Sequence, residues 1–97
     1  MADETVMTLH PDPTKRGVNI SKAKYDVVRL AILKTLKERG EMTFTGLAQA
    51  VEADLAGRFE GSVAWYAVSV KLDLEARGEL QRVSRGKKQY IRLAPGS

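Results

Sequence analysis

The chain has 97 residues, 43% of them hydrophobic and 29% charged, with no cysteine, a single histidine and a formal net charge of +4. At roughly 150 residues per domain this is one domain, and the lack of cysteine excludes a disulfide framework or a Cys-based zinc site. A domain this small buries only about 60–65% of its unfolded surface, so a partner chain is a natural source of further stability.

The start, Met1-Ala2-Asp3-Glu4, is acidic and lacks a signal-peptide apolar stretch. No run approaches the ~20 apolar residues of a membrane span, so a soluble, cytoplasmic protein with no membrane partner is expected. The charge is unevenly spread: residues 1–37 carry a net +3, residues 38–76 a net −4 and residues 77–97 a net +5. Basic ends around an acidic middle point weakly toward a polyanionic partner.

Residues 1–19 contain Pro11, Pro13, Gly17 and Asn19 without a sustained hydrophobic period, and read as a flexible, extended N-terminal arm, disordered or lying over the surface, rather than a packed element. The folded domain is expected over residues 20–94, with 95–97 as a tail. Ser21 is the expected N-cap of a helix starting at Lys22, and Ile20 and Tyr25 have the spacing of a hydrophobic staple. Tyr25, Val28, Ile32 and Leu36 then draw one helical stripe, which Gly40 ends. Glu41–Phe44 reads as a brief strand, and Thr45 as the cap of a second helix carrying Leu47, Val51 and Leu55, ended by Gly57. Ser62 caps a third helix whose inward stripe is Val63, Ala67, Val70 and Leu74, running to Arg77 before Gly78. Leu80–Val83 and Gln89–Leu93 are β-prone runs joined by a Gly-containing connection of hairpin length.

Helix, short strand, two helices and a hairpin with a charged tip is the order of a winged helix-turn-helix domain, an α+β fold with a C-terminal β-hairpin wing. The strings Ile20–Asp26, Gly40–Thr45, Phe59–Tyr66 and Val70–Arg77 resemble small bacterial winged-helix proteins of unknown function, over roughly residues 10–93. The resemblance implies the fold and carries over no activity or catalytic residue.

Catalysis finds little support. His10 stands alone beside Pro11, so one chain offers no Ser/His/Asp arrangement and no His-rich metal site. No enzyme activity, cofactor or small-molecule ligand is expected. The hairpin is the better candidate: Arg85, Lys87 and Lys88 flank Gly86 at the tip, with Arg82 and Arg92 on the adjoining strands, as cations that could approach the phosphates of double-stranded DNA together. Lys22 and Lys24 at the start of the first helix are auxiliary candidates. Lysine and arginine at a tip also guard against edge-to-edge sheet pairing, a competing role.

The third helix is poorly equipped to read bases. Trp65, Val68, Leu72 and Ala76 collect opposite the inward stripe, Lys71 stands nearly alone between the two sets, and Asp73 and Glu75 would repel phosphates unless they lie beyond the groove. Trp65, Val68 and Leu72 are either core, covered by the arm or the first helix, or an exposed patch for a protein partner such as a second copy. A second apolar set on the first helix, Val27, Leu30 and Ala31, adds to the case for a homodimer. The expectation is a nucleic-acid-binding, transcription-regulator-like domain with weak sequence specificity. A protein-interaction or dimerisation module is the alternative.

Overall fold

A computed structural model describes residues 4–95; residues 1–3 of the expected arm and 96–97 of the expected tail lie outside it. The start of the chain departs from expectation. Where an extended arm without a packed element is expected, it forms a ribbon, in which β1 (Thr5–Met7) pairs antiparallel with β2 (Asn19–Ser21), Val6 opposite Ile20. Thr8 is buried where the ribbon continues: its N–H and hydroxyl both donate to the Val18 carbonyl, and its Oγ1 accepts the Val18 N–H at 2.8 Å. A Cβ at position 17 would lie 1.8 Å from the Thr8 carbonyl oxygen, so this approach requires glycine. Strands of three residues are too short for alternation to register in a sequence window, which is why periodicity missed them.

Helix α1 (Lys22–Arg39) starts where the cap chemistry places it, the Ser21 hydroxyl accepting the Lys24 N–H and Ile20 and Tyr25 both buried. Its stripe of Tyr25, Val28, Ile32 and Leu36 faces the core, and the Gly40 N–H donates back to the Leu36 carbonyl. Next come β3 (Met42–Thr43) and α2 (Phe44–Leu55), which buries Leu47, Val51 and Leu55. The α2 cap is Thr43, whose Oγ1 accepts the Gly46 N–H at 3.1 Å, and not Thr45, which lies one residue inside the helix start and exposed. The strand runs into the helix with no intervening loop, so its last residue also caps.

Helix α3 (Val63–Ala76) has Ser62 as its cap and buries Ala67, Val70 and Leu74. Beyond it, the Gly78 N–H donates to Glu75 and the Glu79 N–H to Leu74, the paired bonds of a Schellman ending, with Gly78 at φ +81°. The chain closes with β4 (Leu80–Arg85) and β5 (Lys88–Leu93). The second sheet has the order β3-β5-β4, antiparallel throughout, with Met42 opposite Ile91 and Arg82 opposite Ile91 on the other side. The result is a small α+β fold of three helices and two small antiparallel sheets. Its single core gathers α1, α2 and α3 under Leu80 and Ile91.

Candidate nucleic-acid interface

The β4–β5 hairpin is longer and its turn tighter than expected, with Arg85 paired to Lys88 across a two-residue connection of Gly86 and Lys87. Gly86 sits at φ +64° and Lys87, like every other described non-glycine residue, has no positive φ, the signature of a type II′ turn with glycine first. Side chains alternate across the ribbon, and the register separates the cations. Arg82 shares a face with Leu80 and Ile91 and turns toward the helices, where its guanidinium meets Glu75 at 3.0 Å. Arg85, Lys88 and Arg92 lie on the other face with Val83 and Tyr90, and Lys87 is at the turn.

Several of these charges are already engaged. Arg85 forms a two-point pair with Glu41, at 2.6 Å from Nε and 3.1 Å from Nη2, and this carboxylate holds the guanidinium pKa above its ordinary value. Arg92 donates from Nε to the Gln81 side-chain oxygen at 3.1 Å. Among the described residues Lys87, Lys88 and Arg92 meet no carboxylate, and Lys87 and Lys88 are exposed.

Lys22 and Lys24 are not brought to the hairpin tip. Glu41, the partner of Arg85, follows the C-terminal end of α1, whereas both lysines lie in its first turn; 18 residues at about 1.5 Å each separate the two ends by roughly 27 Å. Lys22 pairs with Asp26 at 2.8 Å, which raises its pKa. Lys24 lies 5.7 Å from the Phe59 ring centroid and 5.4 Å from that of Tyr66, and Tyr66 meets Phe59 and Trp65 edge to face. This cation-capped aromatic cluster joins α1 to the start of α3. The aromatic spacing Phe59, Trp65, Tyr66 was visible in the chain, but the cation comes from 35 residues before Phe59, beyond any local pattern.

The outward face of α3 divides. Trp65 and Val68 are 47% and 40% exposed, so neither the ribbon nor α1 covers them, while Leu72 is half-buried. Lys71, which the helical wheel leaves nearly alone between the two apolar sets, is buried, 3.2 Å from Glu75 and with its ammonium 5.0 Å from the Phe44 ring centroid. Asp73 and Glu75 do not face a groove either. Glu75 bridges Lys71 and Arg82, tying α3 to β4. Asp73 is fully buried and accepts from the Leu9 N–H at 2.8 Å, from the Tyr25 hydroxyl, and from Arg77 Nε at 2.9 and 3.0 Å. Sequence reasoning missed this hub; the one local signal was the Asp73/Arg77 spacing of four on a helix.

Against known families, a family of unknown function, DUF6958, matches residues 5–90. The chain belongs to the DUF6958 family. No curated protein and no solved structure gives a significant match. The DUF6958 match takes in the ribbon, all three helices and β4, and ends within β5, so the Asp73 hub and the hairpin tip both fall inside it. Among the described residues of this DUF6958 chain no cluster of three metal-ligating side chains occurs, and no helix is long and apolar enough to cross a membrane.

Proposed function

We propose that the chain is a winged-helix nucleic-acid-binding protein whose wing tip contacts the phosphates of double-stranded DNA with little sequence preference. The order α1-β3-α2-α3-β4-β5, with β3 alongside the returning strand of the hairpin, supports the winged-helix reading. The observation that carries the functional reading is the tip, where Lys87 and Lys88 stand exposed at a tight turn with no carboxylate of the described residues to hold them back, and Arg92 lies four residues further along the face that carries Lys88. Weak specificity follows from α3, whose outward residues Trp65 and Val68 carry no pair of donors matched to a base edge.

The test is duplex binding measured against salt concentration with DNA of unrelated sequences. Replacing Lys87 and Lys88 together with alanine flattens the plot of log affinity against log salt by about 1.8, at roughly 0.9 per phosphate contact. Replacing Arg85 as well adds less than a full unit, because Arg85 has to leave Glu41 to reach a phosphate. Unmeasurable binding at low salt, or an unchanged slope in the double variant, refutes the reading. The exposed Trp65/Val68 pair favours a second reading, a protein-interaction module. Under it Trp65→Ala abolishes capture of a protein partner while duplex binding is absent in wild type and variant alike.

A further inference from the structure

The outer face of α1 carries an order of charges that matches its own reverse. Lys22, Asp26, Leu30, Lys34 and Glu38 follow one another at intervals of four, forming one ridge along the helix. Leu30 stands at its centre and is 64% exposed, the largest exposure among the big apolar side chains of the described residues. Reading outward from Leu30, the charges are negative then positive toward the N-terminus, and positive then negative toward the C-terminus. Superposing this ridge on an antiparallel copy centred at Leu30 puts Asp26 opposite Lys34 and Lys22 opposite Glu38, twice each. A parallel copy would set each charge against its own kind.

The relief agrees with the charges. On one flank of Leu30 a groove is lined by Leu33 and Leu93 together with Lys37 and Glu79; on the other a smaller one is lined by Val27, Ala31 and Leu55 together with Asp54 and Arg58. A ridge residue between two apolar grooves fits a facing helix that carries the same knob. Two-fold packing is isologous, so each favourable pair is made twice from one surface.

We infer that this face of α1 is the interface of an antiparallel homodimer centred on Leu30, held by reciprocal Asp26–Lys34 and Lys22–Glu38 pairs between copies. The Lys22–Asp26 pair of one chain then continues into Lys34 and Glu38 of the other, so four charges alternate in sign across each end of the contact. This surface shares no residue with the hairpin tip or with Trp65 and Val68, so the inference stands apart from the DNA reading.

Sedimentation equilibrium of the full chain tests it, with circular dichroism as the control for folding. The expected result is a concentration-dependent dimer that Leu30→Glu weakens by about 100-fold or more, since a leucine buried on each side of a dyad is lost at once. Asp26→Lys and Lys34→Glu each set like charges opposite and weaken the dimer roughly tenfold, and combining them restores affinity to within about threefold of wild type, because the swapped pair is again complementary. Trp65→Ala leaves the dimer unchanged. A chain that stays monomeric up to about 1 mM, a dimer indifferent to Leu30→Glu, or a double reversal weaker than either single one overturns the inference; a dimer lost only in Trp65→Ala places the contact on α3 and overturns it too.

Discussion

At Asp73 three stretches of chain meet on one carboxylate: the ribbon through the Leu9 amide, α1 through the Tyr25 hydroxyl, and the α3 exit through Arg77. A fully buried anion is tolerated only when its lone pairs are met by such donors. Asp73→Asn keeps the shape but removes the charge that Arg77 answers, and is expected to lower unfolding free energy by about 3 kcal/mol. Tyr25→Phe removes one charge-assisted bond and costs about 1.5 kcal/mol. Urea midpoints at constant m distinguish these from a change of folding mechanism. Burial, reinforced by the neighbouring Asp73, pushes the Tyr25 phenol up from 10.0 to about 12. The fold therefore favours the protonated form. Its contribution is fully present below pH 10 and is lost as pH rises toward 12, so wild type loses stability more steeply than Tyr25→Phe across that interval.

Among the elements, the helices were the most legible because each is long enough to show its stripe and ends at a residue with its own chemistry: Ser21, Gly40, Ser62 and Gly78 act as the sequence suggests. The second helix shows how far that reading goes. Met42-Thr43-Phe44-Thr45 offers two threonines, and only the pairing of Thr43 with Tyr90 reveals that the strand ends on the first of them. Thr43→Ala is accordingly expected to cost about 1 kcal/mol in a urea titration and Thr45→Ala less than about 0.5 kcal/mol, the order reversing if Thr45 were the cap. The ribbon was illegible for a different reason. Two three-residue strands owe their position to Thr8, Gly17 and Asp73, contacts made at separations of 9 to 64 residues along the chain.

For the molecule as a whole, the division of the sequence into basic ends and an acidic middle does not survive folding. Glu41 closes on Arg85, Glu75 on Arg82 and Asp73 on Arg77, so much of the negative segment is folded against the positive one that follows it; Glu79 likewise takes Arg29. Regional charge was thus a poor guide to the surface, and the candidate site shrinks from a cluster of seven cations to Lys87, Lys88 and Arg92, with Arg85 held in reserve by Glu41. Glu41→Gln is expected to release Arg85 and steepen the salt dependence of duplex binding by up to about 0.9, with the fold intact because the pair is exposed on its arginine side. Binding titrations at three or more salt concentrations read this directly, and a slope equal to wild type would mean that Arg85 is not near a phosphate even when free.

The bond from Leu9 to Asp73 has one more consequence. Its donor is a backbone amide on an otherwise exposed residue, and its acceptor is fully buried in the body of the protein. Solvent reaches that amide hydrogen only when the ribbon lifts from α3, so its rate of exchange with deuterium reports the opening of this one seam, apart from the unfolding of the core beneath it.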